Sequence, residues 1–465
     1  MDIGNVAIVI VDGIAHETLV FAAIGFFIGG LDDLAIDLVY LYHHLKLRLS
    51  GAPRGLVLDD FPVLAEPGHI AVFIAAWDES AVIGAMLRTA LARFDHPDYR
   101  LYVGAYPNDP ATIDAVACVA ERDTRVVLVI GPNPGPTTKA DCLNALWRAL
   151  LRDETARGVR AKAIVLHDAE DVVHAGELRV YDTLIGPHQV VQLPVHPLIA
   201  PGSRFVSAHY ADEFAESHGK QLVVRQALGA GLPLAGVGCA IARDMLAEIA
   251  SARGGAPFDA SSLTEDYELG LQIAALGGSG CFARVAEVPG GLPVAVRAYF
   301  PSRVEAAIRQ KTRWMTGIAL AGWDRVGWSG AWHWREHWMR MRDRRAPLAI
   351  LVLVAAYLAA VFWLAAAALH WASATAAPAL AAPIAALLWA NAILLLWRMA
   401  VRAVFTGRAY GRRQAAWSLP RMMVANFIAM VATQRALLRY ARMLRGAAPR
   451  WDKTAHDFPA EVDVA

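Results

Sequence analysis

The densest run of side chains able to do chemistry is His167-Asp168-Ala169-Glu170-Asp171, directly after the apolar residues 163–166. Short apolar runs read as buried strands, and the carboxyl end of a strand in an open α/β sheet delivers its side chains to the ligand crevice. Carboxylates gathered there suit a hard divalent cation, Mg²⁺ or Mn²⁺, which keeps positions for phosphate oxygens. The same run also reads as an acidic loop capping the next helix. Two further groups stand out. Thr264-Glu265-Asp266 has the form of an N-cap followed by first-turn acids. Gln310-Lys311-Thr312-Arg313-Trp314 sets a planar cation beside an aromatic ring, just ahead of a Trp-rich, apolar C-terminal part.

The elements that must position these groups follow from the pattern between 69 and 299. Apolar runs at 69–75, 100–105, 125–129 and 163–166 alternate with helix-like stretches at 82–92, 111–120 and 139–150. That alternation predicts an α/β domain with a mostly parallel sheet and helices on both faces. No run in this region is long enough to cross a bilayer. A dinucleotide-dependent oxidoreductase is disfavoured, because no GxGxxG follows an early strand.

Hydrophobic residues make up 56 % of the 465 and charged residues 19 %, with a mean hydropathy of +0.36. Soluble domains have roughly 45–50 % apolar and about 25 % charged residues, so this composition leans toward membrane and excludes disorder. The net charge of +1 hides an asymmetry: from Arg344 to Trp451 there are thirteen arginines and no Asp or Glu. Cys118, Cys142, Cys239 and Cys281 are scattered without a CxxC pair, which disfavours a disulfide framework and a zinc ribbon. Nothing points to a nucleic-acid partner.

Residues 18–42 form an apolar run flanked upstream by Asp2, Asp12 and Glu17, the wrong flank for a cleaved signal peptide. The run reads as an uncleaved anchor whose C-terminal end, followed by Lys46, Arg48 and Arg54, faces the cytoplasm. Residues 348–369 and 377–396 predict a hairpin entering from and returning to the cytoplasm, since arginines crowd both outer flanks. The stretch 419–440, apolar only over 422–432, reads as an interfacial or re-entrant helix. The expected organisation is an anchor (1–55), a soluble domain (56–300), a Trp/Arg-rich interfacial segment (301–346), a transmembrane hairpin (347–400) and a basic, membrane-associated C-terminal segment (401–465).

The order and spacing of the acidic motif, Thr-Glu-Asp and Gln-x-x-Arg-Trp resemble the processive, inverting family-2 glycosyltransferases. Leu31-Asp32-Asp33-Leu34, Tyr106-Pro107-Asn108-Asp109-Pro110, the 167–171 motif and Ala235-Gly236-Val237-Gly238-Cys239 are similar to the bacteriophage adsorption protein B branch, over nearly the whole chain. The resemblance implies a GT-A fold that binds a nucleotide sugar, UDP-linked by analogy, and a divalent cation. It implies nucleotide-sugar contacts from Asp78, Glu79, Asp109, Lys139 and Asp168, with Asp78 in place of the usual Asn. Asp168, Glu170 and Asp171 become the metal set, with Glu in the second DxD position. Asp266 becomes the general base beside Glu265. Gly236, Gly238, Cys239, Gln310, Arg313 and Trp314 become the diphosphate and acceptor contacts, with Cys239 a packed residue rather than a reactive thiol.

The implied protein is a multi-pass enzyme of the bacterial inner membrane, its catalytic domain cytoplasmic. It would extend a polysaccharide and couple this to export, with membrane lipids around it and an outer-membrane partner or a second copy completing the path. The alternatives are single-sugar transfer to a lipid carrier, or an inactive scaffold or receptor.

Overall fold

The computed structural model describes residues 3–51, 55–447 and 457–459; Arg54 of the N-terminal basic cluster and residues 460–465 lie outside them. The chain opens with one helix, α1 (Ile3–Leu49). At 1.5 Å per residue it is about 70 Å long, more than twice a hydrocarbon core, and it outruns the expected 18–42 at both ends.

The soluble domain is built on seven strands: β1 (Ile70–Ala75), β2 (Tyr99–Ala105), β3 (Val126–Ile130), β4 (Ala163–Asp168), β5 (Val190–Gln192), β6 (Cys239–Ala242) and β7 (Gly280–Phe282). Their order is β3-β2-β1-β4-β6-β5-β7. The half carrying β1 to β4 is parallel, whereas β6 runs antiparallel to both β4 and β5. β1 is buried at all six positions, as expected for a parallel strand covered on both faces. The covering helices include α2 (Ile83–Arg93), α3 (Pro110–Ala120) and α4 (Lys139–Arg157). Strand order reverses between β2-β1 and β4, and Ala75 pairs with Asp168 at that point. A switch point of this kind opens a crevice beyond the strand ends, which is where the 167–171 motif emerges.

Four more elements close the crevice: α5 (Val206–Glu216), the π-helical turn Ser217–Gln221, α6 (Glu265–Ala275) and α7 (Val304–Trp314). A second π-helical turn, Met315–Ala321, follows α7 directly. The chain then runs through α8 (Trp334–Arg344), α9 (Ala346–Ala372), α10 (Ala382–Tyr410) and α11 (Arg412–Met443). Among the described residues α1, α9, α10 and α11 are the helices long and apolar enough to cross a membrane.

α9 and α10 pack on different flanks of α1. A Cβ on Gly25 would collide with Val352 of α9, and one on Gly30 with Leu394 of α10. Five residues correspond to about 140° around the helix at 3.6 residues per turn. The three helices therefore form a layer with α1 in the middle. Four of the five acids of α1 meet partners on other elements, whereas Glu17 is exposed. Asp32 and Asp33 pair with Arg342 and Arg345, Asp37 with Lys220, and Asp12 accepts from His370 Nε2 at 3.0 Å. Pairing of this sort is what makes carboxylates tolerable in an apolar helix.

Candidate active site

The Tyr106-Pro107-Asn108-Asp109 motif at the end of β2 ties three loops together. Tyr106 bonds through its hydroxyl to Thr137 Oγ1 at 2.9 Å, and Thr138 in turn caps α4, the helix that begins with Lys139. Asn108 clamps Gly135 from both sides, donating to its carbonyl at 2.8 Å and accepting from its N–H at 2.7 Å. Asp109 is the N-cap of α3, accepting from Thr112 N, and its other oxygen accepts from Asp78 N at 2.6 Å. Each of its oxygens accepts from a backbone N–H, so Asp109 holds the Asp78 turn. Asp78 itself is exposed and sits at φ 53°, a left-handed conformation that a non-glycine residue keeps only where surroundings enforce it. Glu79, beside it, is buried and lines the main cavity.

That cavity has a volume of about 440 Å³ and is walled by residues drawn from between Ile36 and Arg345. Asp168, Glu170 and Lys139 stand on its sheet side, Glu265 and Asp266 at the start of α6, and Gln310, Arg313 and Trp314 on α7. Lys139 Nζ is ion-paired to Asp168 and donates to the Gly236 carbonyl at 3.2 Å. Burial by itself lowers the affinity of Lys139 for its proton, but Asp168, Glu265 and Asp266 outweigh it and hold the ammonium charged.

Glu265 and Asp266 share one confined site. Burial and the charge of Asp266 push the Glu265 carboxyl up to about 7, against the opposing pull of Lys139. Burial also raises Asp266, although Lys139, the Tyr267 N–H and Arg313 favour its charged form. Gly236 permits this arrangement. It sits at φ 76°, and a Cβ there would collide with Asp266 Oδ2. Gly238 is likewise left-handed, at φ 58°, with Val296 against it. Cys239 is instead the first residue of β6, fully buried and paired with Leu166. Its expected place among the acceptor contacts is corrected to one in the sheet, its thiol raised by burial.

Asp168, Glu170 and Asp171 all border the cavity; Asp171 is 2 % exposed and accepts from His167 Nδ1 at 2.9 Å and from Asp168 N at 3.0 Å. His167 reaches Glu177 on its other side, Nε2 to Oε1 at 2.7 Å. Burial disfavours the imidazolium, but Glu177 and Asp171 override it and raise His167 to about 10. Through Oδ2, Asp171 braces the Asp168 backbone and His167. Among the described residues no group of three His, Cys, Asp or Glu is arranged to hold a metal unaided. Asp168 and Glu170 still fit a hard cation that takes its remaining ligands from a diphosphate and water.

On α7, Gln310 Oε1 is buried without a hydrogen-bond partner. Arg313 forms no ion pair among the described residues while lining the same cavity. Trp314 is braced by Tyr210, Phe214 and Phe300, with ring centroids 6.1, 6.4 and 6.5 Å away. The π-helical turn that follows widens the helix at this point, a distortion frequent at functional sites. The sequence reading had not connected Ile36, His218, Gln221, Met339, Arg342 and Arg345 with the cavity, which they also line. The signal for Arg342 and Arg345 was the Asp32-Asp33 pair within α1, which requires cationic partners.

Residues 67–317, more than half of the chain, match the family model described as glycosyltransferase like family 2. Bacteriophage adsorption protein B of Escherichia coli strain K12 and bacteriophage N4 adsorption protein B of Escherichia coli O157:H7 are each 34 % identical over 463 residues, covering 94 % of this chain. The chain spans 61 % of the length of these relatives. Among solved structures, the mannosyltransferase PcManGT from Pyrobaculum calidifontis, in complex with GDP-Man and Mn²⁺, superposes with a TM-score of 0.54. Its identity is 18 %, over 92 % of this chain and 99 % of that one, a likeness of fold. With its mostly parallel GT-A-like sheet and the acidic, Thr-Glu-Asp and Gln-x-x-Arg-Trp groups on one cavity, the chain belongs to the family-2 glycosyltransferases.

Proposed function

We propose that the protein is a membrane-bound, inverting transferase that moves a sugar from a nucleotide donor to a hydroxyl of a glycan acceptor. The observation that carries this reading is one cavity holding Asp168 and Lys139 on one wall, the raised Glu265–Asp266 pair on a second and the unpaired Arg313 on a third. The donor's base and ribose would lie in the turn held by Asp78, Asp109 and Asn108, its diphosphate toward Asp168 and Glu170. A bound divalent cation would supply charge neutralisation on the diphosphate. Mn²⁺ accompanies GDP-Man in the fold relative, which favours this assignment.

Asp266 takes the proton of the acceptor hydroxyl as that oxygen attacks the anomeric carbon, and the nucleoside diphosphate leaves from the opposite face. One displacement inverts the centre, so no covalent nucleophile is required. Arg313 pairs with the departing diphosphate through its planar fork, and Trp314 offers a ring face to the acceptor sugar. Detergent-solubilised protein with Mn²⁺ and a panel of nucleotide sugars should release nucleoside diphosphate from at least one donor. Failure with every donor, in the presence of oligosaccharide and lipid-phosphate acceptors, would leave the inactive-scaffold reading that the adsorption name of the relatives invites.

Two further expectations follow from α7 and the helix layer. Arg313→Lys keeps the charge but loses the bidentate fork, so donor hydrolysis and transfer should fall together. Trp314→Ala should damage transfer more than hydrolysis, because water needs no stacking platform. Equal losses in Trp314→Ala would return Trp314 to a purely structural role. For orientation, the arginine flanks favour a cytoplasmic position for the catalytic domain. Reporters at Ser373 and at Ala465, the latter outside the described residues, should then lie on opposite sides of the membrane; the same side for both would mean that α11 crosses. A layer of three helices encloses no channel, so export of a polymer would need a second copy or a partner.

A further inference from the structure

Asp168 differs from Glu170 in that it already holds a cation of the chain's own. Lys139 Nζ is ion-paired to Asp168 Oδ1 and also donates to the Gly236 carbonyl at 3.2 Å. An ammonium is a compact charge with N–H donors and no acceptor, so it neutralises a carboxylate much as a small metal ion would. Glu265 and Asp266 deepen the negative field around it. Lys139 at the start of α4 and Asp168 at the end of β4 therefore meet on the sheet side of the cavity.

Of this pair, the lysine is the partner that can yield. The backbone beneath it is fixed: Thr138 caps α4 by accepting from Asp141 N at 3.3 Å, and its hydroxyl donates to the Ala260 carbonyl at 2.9 Å. The flexible stem of Lys139 can still swing its ammonium aside without moving the helix. Asp168 has no such freedom. Its strand pairs with Ala75, and its N–H donates to Asp171 Oδ2 at 3.0 Å.

Charge decides when the lysine yields. A divalent cation arriving alone meets an Asp168 that is already neutralised, with Arg313 lining the same cavity. No group of three His, Cys, Asp or Glu among the described residues is arranged to outbid the ammonium. A diphosphate changes the balance, because it brings oxygens for the ion and for the displaced ammonium together.

We propose, on the donor placement given above, that Lys139 competes with the divalent cation for Asp168 and is drawn off it by a nucleoside diphosphate, so that cation and nucleotide bind together. The test is Mn²⁺ binding to the detergent-solubilised chain, read from the electron paramagnetic resonance of free Mn²⁺, with no turnover required. Without nucleotide, Lys139→Met should bind Mn²⁺ about tenfold tighter than the native chain. Equal affinities would overturn the competition. UDP or GDP should tighten Mn²⁺ binding about tenfold or more in the native chain, but within about threefold in Lys139→Met, which has no ammonium to displace. The same tightening in both would reduce Lys139 to a general contribution of charge and overturn the exchange.

Lys139→Arg guards against a folding defect in the methionine variant. It keeps the charge and grips Asp168 with a fork, so Mn²⁺ should bind more weakly than to the native chain, with or without nucleotide. Binding as tight as native in Lys139→Arg would also overturn the competition. If neither UDP nor GDP binds the native chain, the donor reading fails. The comparison of Mn²⁺ alone across the three proteins then still decides the role of Lys139.

Discussion

Asp266→Asn should lower transfer by about 10²–10⁴-fold, the usual worth of a positioned general base, while leaving the fold and donor binding intact. The amide preserves the shape beside Gly236, where no larger group is tolerated, but cannot accept the acceptor's proton. The measurement is single-turnover transfer together with the affinity for the nucleoside diphosphate. A loss within about threefold, only about 0.65 kcal/mol in the barrier, would exclude Asp266 as the base. The same site makes a pH prediction with a definite sign. A base works deprotonated, and the Glu265–Asp266 pair is raised, with Glu265 pushed up to about 7. Asp266 is raised by burial, so as pH falls activity should decline at a pH above the range of an ordinary carboxylate. Removing one of the two acids relieves the like-charge repulsion, so Glu265→Gln should move that acidic limb downward.

Asp168→Asn should cost about a hundredfold or more in turnover, comparable to removing a group aimed at developing charge. Two consequences separate its functions. If Asp168 and Glu170 carry the cation, the variant's residual activity should no longer respond to chelation and readdition of Mn²⁺, and isothermal titration should show weakened Mn²⁺ binding in the presence of nucleoside diphosphate. The loss of Asp168 also leaves Lys139 buried between Glu265 and Asp266, which still compensate its charge, so the thermal midpoint should change little. Native turnover with unaltered Mn²⁺ binding would remove Asp168 from the metal site. Asp171→Asn is the informative contrast. It keeps Asp168 and Glu170 and loosens the bonds to His167 and the Asp168 N–H, so it should weaken Mn²⁺ affinity without abolishing it.

The sequence by itself determined the local parts. Runs such as 70–75 and 163–166 are too apolar to be anything but covered strands, and their alternation with helical stretches dictates parallel pairing and a crevice at the strand ends. The acidic, Thr-Glu-Asp and Gln-x-x-Arg-Trp groups were legible because each is a short run whose side chains act together. The positive-inside pattern and the two long apolar helices of the hairpin were legible for the same reason, as composition over a window.

Tertiary structure decided what each member of a run faces. Asp168 and Asp171 are three residues apart with the same carboxylate, and only the path of the chain after β4 sets one against Lys139 and the other against His167. Asp109 reads as a ligand and Cys239 as a loop residue until the α3 cap and the β6 ladder claim them. α11 has the hydropathy of a span, but its buried face is matched to α5 and α7. Asp32 and Asp33 of α1 meet arginines some three hundred residues away in sequence, at Arg342 and Arg345. Such pairings depend on where distant elements pack, and a single sequence carries charge and periodicity but not the partner across the core.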